Sequence, residues 1–132
     1  MITKLEELEV WQISRGFCKV IYNYTRQECF VKDFILVKQI RRSSGSIMDN
    51  IAEGFERGGM DEFIEFLGIS KGTCGETRSQ LYRAFDNGHI DNEQLSEGLE
   101  MTGLLLNKLG AFINYLSDSE IRNSKFKESN NA

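Results

Sequence analysis

Cysteine and histidine are the side chains of this sequence best suited to metal binding or nucleophilic catalysis, and they are few. The 132-residue chain contains three cysteines, Cys18, Cys29 and Cys74, and one histidine, His89. The cysteines are odd in number and form no CxxC pair, which argues against a disulfide framework and against a zinc site. Cys74, in the segment GTCGET, suits a helix-packing position better than a nucleophile loop. We therefore expect three reduced thiols and no bound metal.

Paired carboxylates are the second arrangement that could support catalysis. Glu53 and Glu76 could meet in space, but di-metal sites in helical bundles use Glu-x-x-His pairs, and this sequence contains none. His89 has no nucleophile beside it, and there is no glycine-rich phosphate-binding loop. The sequence therefore predicts a non-enzymatic protein without a cofactor. Glu76 is instead a candidate partner for Arg41 or Arg42.

A stripe of polar side chains is the strongest candidate for recognition. It lies in QIRRSSGSIMDNIAEGFERG, residues 39–58, opposite an apolar face when the residues are wound at about 100° each. Within it, Glu53 and Arg57 have the spacing of a favourable i,i+4 ion pair. The stripe is either a solvated helix surface or a partly buried polar network that orients helices or recognises a partner. Its members are Gln39, Arg42, Ser46, Asp49, Asn50, Glu53 and Arg57, with Arg41 on its flank.

Small residues predict a close approach between helices. Gly45 and Gly54 each cost about 1 kcal/mol relative to alanine in a helix interior, so a compensating contact is expected. Gly68 and Gly72 are four residues apart and therefore share one face of the next helical segment. The close packing is expected either inside the fold or against another subunit.

Four segments carry apolar residues at the spacing of three and four that is typical of amphipathic helices. No segment shows the sustained alternation of a strand, and the chain has no proline to interrupt a helix. Long helices joined by short loops must be antiparallel neighbours. The prediction is an all-α, up-down-up-down four-helix bundle over residues 1–117, followed by a polar, disordered tail over residues 118–132. The helical segments span about residues 4–25, 31–57, 60–86 and 91–117.

Local signals mark the ends of these segments. Thr3 and Glu6 match a capping box at the start of the first segment. Asn87-Gly88 is a stop signal for the third, and Asp91 is a typical N-cap for the fourth. The predicted core face of the second segment comprises Ile40, Ser44, Ile47, Ile51, Gly54 and Phe55.

Charge and hydropathy limit the classes of partner. The net charge is −4 and the isoelectric point is about 5.1, which disfavours general nucleic-acid binding. An acidic chain can still carry a local basic patch. No apolar run is long enough to span a membrane. The first residues, MITKLEELEVWQ, carry charges where a signal peptide needs an apolar core, so we expect a cytoplasmic protein.

Several motifs together resemble one known family. They are VWQ and IY in the first segment, QIRRSSGSIMDNIAEGFER in the second and EFIEFLGISKGTCGET in the third. The resemblance covers about residues 5–115 and is to the family of proteins encoded in intervening sequences of 23S rRNA genes. It implies a four-helix bundle that assembles as a homopentamer. It also implies kinship with the accessory protein of diversity-generating retroelements, a strongly basic pentamer that binds a reverse transcriptase and nucleic acid.

Two functions follow as hypotheses from the residues and the resemblance. The first is a non-enzymatic homo-oligomer that acts as an assembly or adaptor protein for another macromolecule. The second is an RNA-, DNA- or reverse-transcriptase-associated accessory protein that uses Arg41 and Arg42. The acidic charge of the chain, unlike that of the basic relative, favours the first.

Overall fold

The computed structural model describes residues 2–118 of the 132-residue chain. The tail that the sequence predicts to be disordered lies outside the described residues, apart from Asp118. The last described helix ends at Ser117, and the domain boundary predicted after this residue stays a prediction. The predicted disorder itself stays a prediction.

Every regular element between residues 2 and 118 is helical, which confirms the all-α prediction. Four of the helices are long, and two short elements were not predicted. A single 3₁₀ turn precedes the first long helix, and one extra helical turn lies between the first two long helices. The elements are the 3₁₀ turn Leu5–Glu7 and helices α1 Glu9–Thr25, α2 Glu28–Val31, α3 Phe34–Glu56, α4 Met60–Asp86 and α5 Asn92–Ser117.

The first helix begins later than predicted because the capping interaction is shifted by one residue. The predicted box between Thr3 and Glu6 is wrong. The carboxylate of Glu7 instead accepts hydrogen bonds from the Thr3 hydroxyl at 3.2 Å and from the Lys4 backbone N–H at 3.1 Å. This arrangement stabilises only the 3₁₀ turn, and α1 starts after it, at Glu9.

The other helix ends follow local sequence signals. Asp33 caps α3 by accepting a hydrogen bond from the Leu36 N–H, so the segment predicted to start at residue 31 starts as α3 only after this cap. The predicted cap at Asp91 is confirmed, because its carboxylate accepts from the Gln94 N–H at 2.8 Å. Gly88 has a φ of +77°, the left-handed conformation expected of a helix stop.

Neighbouring long helices run in opposite directions. In the α3–α4 pair, Gln39 near the start of α3 bonds Arg83 near the end of α4, whereas the later Ile47 accepts from the earlier Ser70. The same reversal relates α4 to α5, α1 to α3 and α1 to α5. Each long helix therefore packs against two others.

The core lies between these four helices and is mainly aliphatic. On α3, Ile40, Ile47 and Ile51 are fully buried, as the helical periodicity predicts, and Phe55 is only half-buried. Across residues 2–118, no helix is long and apolar enough to cross a bilayer. The largest fully buried apolar side chains are Phe17, Ile21, Phe30, Leu36, Ile40, Ile47, Ile51, Leu67, Leu81, Leu105 and Leu109.

Candidate binding groove between helices α3 and α4

An open polar groove of about 480 Å³ lies along the contact between α3 and α4. The side chains that line it are predominantly hydroxyl, amide and charged groups rather than hydrocarbon. Four of the residues predicted as site residues, those at positions 39, 42, 46 and 76, lie together here. The lining comprises Gln39, Arg42, Ser43, Ser46, Thr73, Glu76, Ser79, Gln80 and Arg83.

The floor of the groove is a buried hydrogen-bond network between the two helices. The Ser43 hydroxyl donates to Gln80 Oε1 at 2.5 Å, and the Thr77 hydroxyl lies 2.9 Å from Ser43 Oγ. The Gln80 amide donates in turn to Glu76 Oε1 at 3.3 Å. Ser43 and Gln80 are buried, so these bonds satisfy polar groups that would be costly to leave unpaired.

This network was missed at the level of sequence. Ser43 is next to the predicted core face of α3, and neither Ser43 nor Thr77 was predicted to form a hydrogen bond between helices. Gln80 carried the available signal, because it lies three residues after Thr77 and one before the buried Leu81. A polar amide at that helical position is expected to need a buried partner.

Two guanidinium groups lie at one end of the groove. Arg83 Nη1 donates to Gln39 Oε1 at 3.0 Å, and both side chains are exposed. Arg42, one turn after Gln39 on the same face of α3, forms no hydrogen bond or ion pair with any residue between 2 and 118. Arg42 therefore has a full set of guanidinium N–H donors available at the surface.

The predicted ion pair between Glu76 and Arg41 or Arg42 is absent within the described part of the chain. Glu76 Oε1 instead accepts a hydrogen bond from the side-chain amide of Gln80. Arg41 points towards α1, where its Nε donates to Thr25 Oγ1 at 2.8 Å and its guanidinium lies 4.6 Å from the centre of the Tyr22 ring. Successive residues of a helix diverge by about 100°, so Arg41 and Arg42 point to different sides of α3, one towards α1 and the other into the groove.

The rest of the polar stripe lies outside the groove. Arg57 and Glu53 form the predicted i,i+4 ion pair at 2.7 Å, with both side chains half exposed, and Arg57 also approaches Glu62 at 3.5 Å. Within the described chain, the side-chain amide of Asn50 donates only to Ser46, at 2.8 Å. Water screens these half-exposed ion pairs, so this part of the stripe is a solvated surface in the single chain.

Of the four glycines proposed for close packing, Gly54 makes a close contact within the chain. A Cβ built at Gly54 would lie 2.5 Å from Phe66 Cβ on α4. At Gly45, Gly68 and Gly72 a Cβ would meet nothing within 4 Å. Intrachain packing therefore explains Gly54 alone among these, and contact with another subunit stays a prediction for the other three.

Gly98 is a close-packing glycine that sequence reasoning missed. A Cβ there would lie 2.8 Å from Leu81 Cδ1, and Leu81 is fully buried between the helices. The available signal was a glycine in the interior of α5, about two turns after its start, where it costs about 1 kcal/mol relative to alanine.

The thiols and the histidine take part in packing and capping. Burial raises the pKa of the Cys18 and Cys74 thiols to about 11, so both are protonated at neutral pH and neither is an activated nucleophile. His89 Nε2 lies 2.9 Å from Asp33 Oδ2, and this hydrogen bond lowers the pKa of the Asp33 carboxyl. The His89 ring stacks on Phe30 of α2 at 4.8 Å, so the loop before α5 is tied to α2 by this stacking and to the cap of α3 by Asp33.

Comparison with known proteins places the chain in a family. The model of the 23S rRNA-intervening sequence protein family matches residues 6–111. A crystal structure from Bacteroides thetaiotaomicron, described as a protein with unknown function from the S23 ribosomal protein family, is similar in fold, with a TM-score of 0.73 and 28% identity over 79% of this chain and 97% of that one. No curated protein matches. The matched residues include α1, α3, α4 and most of α5, and the chain therefore belongs to the 23S rRNA-intervening sequence protein family.

Proposed function

We propose that this protein is a non-enzymatic homo-oligomer of the cytoplasm that acts as an assembly or adaptor protein for another macromolecule. The proposed unit is an up-down-up-down four-helix bundle, supported by the antiparallel contacts of each long helix with two others. The proposed assembly is a pentamer, as the family resemblance implies. Three free thiols are in keeping with a reducing compartment.

An exposed cluster of apolar side chains at the start of α3 is the main observation that supports a homo-oligomer. Phe34 and Ile35, the first two residues of α3, are 74% and 70% exposed, and Val31 of α2 is 40% exposed. Large apolar side chains that cluster at the surface of a single chain are typical of protein–protein contact sites. Burying them against a second copy would remove this apolar area from water.

The chemistry of the side chains supports a non-enzymatic role. The two buried thiols are protonated, and the imidazole of His89 is engaged by Asp33. Among residues 2–118, no group of three or more histidine, cysteine and carboxylate side chains could hold a metal ion. The groove instead offers hydrogen-bond donors and acceptors at a fixed spacing, which suits binding.

Light scattering with absorbance at 260 and 280 nm tests this function. We expect a mass about five times the 15.1 kDa chain, free of nucleic acid. Phe34→Asp should lower the mass without unfolding the chain, because Phe34 is exposed in the single chain. Tyr115→Asp, at another exposed aromatic residue, is the matched control and should leave the mass unchanged.

Two results would contradict the proposal. If the wild-type protein is monomeric at micromolar concentration, the proposed homo-oligomer is contradicted. An assembly that carries nucleic acid, and loses it in an Arg41→Gln, Arg42→Gln variant, would favour the nucleic-acid accessory function instead. Binding of that kind would also weaken steeply with salt.

A further inference from the structure

The groove between α3 and α4 differs chemically at its two ends. Because the helices are antiparallel, Gln39 and Arg42 near the start of α3 lie beside Arg83 near the end of α4. Ser46, farther along α3, lies in the direction of Thr73 and Glu76, which come earlier on α4. One end therefore presents guanidinium donors, and the other presents hydroxyl and carboxylate acceptors.

The guanidinium end is suited to a carboxylate. Arg42 has no partner among the described residues, and Arg83 gives Nη1 to Gln39 while its other N–H groups make no hydrogen bond in the described chain. Guanidinium and carboxylate groups form parallel, charge-assisted hydrogen bonds, which are about twice as strong as neutral ones. A ligand carboxylate bound at this end of the groove would accept hydrogen bonds from the guanidinium N–H groups of Arg42 and Arg83 that have no acceptor among the described residues.

The acceptor end is suited to backbone amides. Glu76 Oε1 accepts one hydrogen bond from Gln80, the second Glu76 carboxylate oxygen has no partner among residues 2–118, and Ser46 Oγ accepts from Asn50. Carboxylate and hydroxyl oxygens at this end match the N–H groups of an extended chain. The volume of about 480 Å³ lies within the range of roughly 300–1,000 Å³ found for small-ligand sites.

We propose that this groove binds a short acidic peptide segment of a protein partner. An Asp or Glu carboxylate of the segment pairs with Arg42 and Arg83, and its backbone N–H groups reach Glu76 and the hydroxyls at the other end. This inference rests on the proposed adaptor function and names the class of partner recognised by each subunit.

Charge favours a peptide over a nucleic acid at this site. Two arginines and one glutamate give the lining a net charge of +1 in a chain of net charge −4. A nucleic-acid backbone carries a phosphate at every nucleotide and would bring one against Glu76. A peptide with a single carboxylate satisfies the arginines and leaves neutral amides for the acidic end.

The buried network fixes the groove in advance of binding. Ser43, Thr77 and Gln80 connect α3 and α4 across the floor and hold the two helices at one separation. The Gln80 amide also orients the Glu76 carboxylate. Pre-ordered groups lose less conformational entropy when a ligand binds, so even a short peptide can be recognised.

The test is an NMR titration of the assembled, isotope-labelled protein with two peptide pools. Both are acetylated, amidated pentapeptides with mixed flanking residues, and the central residue is glutamate in one and glutamine in the other. We expect the glutamate pool to shift the backbone amides of groove residues and the glutamine pool to leave them in place.

Variants assign the effect to the groove. Arg42→Gln should weaken binding of the glutamate pool at least about tenfold, since a charge-assisted hydrogen bond is lost. Arg42 is exposed and unpaired among the described residues, so the variant should fold normally. Arg15→Gln, at an exposed arginine of α1 outside the groove, should bind as the wild type does.

Three outcomes would overturn the proposal. If the glutamate pool does not shift the backbone amide signals of groove residues, the groove is not a peptide-binding site. If both pools shift these signals equally, the ligand carboxylate is not what the groove recognises. Groove shifts produced by a ten-nucleotide uridine oligomer, and lost in Arg42→Gln, would assign the site to nucleic acid. Light scattering on the same samples separates the two proposals, because a five-chain mass without peptide shifts contradicts the groove alone.

Discussion

The contact between α3 and α4 is closed at one end and open at the other. At the closed end, Gly54 lets the helices approach until its α-carbon faces Phe66, and Phe63 packs edge-on against Phe55 at 6.0 Å. At the open end, hydroxyl and amide side chains meet across a polar floor beneath an open groove. The same two helices therefore hold together in two different ways.

The difference separates what stabilises the fold from what is available for binding. The closed end packs aromatic side chains against each other and against a glycine. The open end joins the helices by directional bonds between short side chains, which fix their separation but do not fill the space above. Recognition is expected at the open end because the guanidinium of Arg42 is exposed there and has no partner among the described residues.

Ile47→Asp is expected to have the largest effect on this contact. Ile47 is fully buried between the two ends, and an unpaired carboxylate there costs several kcal/mol, about enough to unfold a domain of this size. Thermal unfolding followed by circular dichroism measures it. Gln39→Asp, on the exposed side of the same helix, is the control and should stay folded. If Ile47→Asp melts like the wild type, the assignment of the core face is wrong.

Gly54→Ala tests the closed end directly. The new Cβ would lie 2.5 Å from Phe66 Cβ, so the helices must separate, at a cost of about 1–3 kcal/mol. Gly45→Ala is the matched change on the same helix where a Cβ meets open space, and it should stabilise the chain by roughly 0.5–1 kcal/mol. Urea unfolding of both variants gives the comparison.

The two alanine variants also inform the assembly. A loss of mass in Gly45→Ala, measured by light scattering, would show that this glycine packs against another subunit. Equal destabilisation by the two variants would contradict the distinction between a close intrachain contact at Gly54 and open space at Gly45.

Ser43→Ala tests the floor of the open end. It removes the donor to Gln80 Oε1 and leaves a buried amide oxygen without that bond, so we expect a loss of about 1–3 kcal/mol in chemical unfolding. Ser79→Ala, at the exposed rim of the same groove, should change stability by less than about 0.5 kcal/mol. A neutral Ser43→Ala would mean that the floor does not join the helices.

Low pH is expected to weaken the cap at Asp33, which lies at the start of α3 near the open end of the groove. The hydrogen bond from His89 lowers the pKa of Asp33 below its usual 3.8, so the ionised carboxylate favours the folded state. This contribution is present above the unfolded pKa and is lost as pH falls through the lower, folded pKa. Asp33→Asn should therefore lower the melting temperature at pH 7 and have progressively less effect below about pH 4. A difference that is constant with pH would contradict this assignment.

Arg42→Ala is expected to have the smallest effect on stability. Its guanidinium is exposed and has no partner among the described residues, so the change should be within about 0.5 kcal/mol in urea unfolding. The same variant should lose the acidic peptide. A large loss of stability would instead show that Arg42 belongs to a structural network, so its N–H groups would not be available to a ligand in the groove.

Much of the helical framework was predictable because its signals are local. The spacing of Ile40, Ile47 and Ile51 indicated which side of α3 is buried, and Asp91 and Gly88 marked the ends of helices. Helical periodicity and capping depend on residues within about one turn, so the sequence contains all the required information.

The partners of the polar side chains were less predictable. Gln39, Arg42, Ser46 and Glu76 were identified from their positions, but the expected pairing of Glu76 with an arginine is replaced by its bond to Gln80. The site also depends on Ser43, whose hydroxyl meets α4 only because of the helix register. Long-range register is set by packing of the whole core and is not encoded in any short segment.

The sequence by itself determined that this protein is all-α, where its long helices lie, which residues form their apolar faces and which family it belongs to. The tertiary structure decided which glycines are in close contact, which arginine has no partner among residues 2–118 and where two helices leave a groove. The reason is physical. A helix forms from interactions between residues three and four apart, whereas a site between helices depends on how the helices are rotated and spaced.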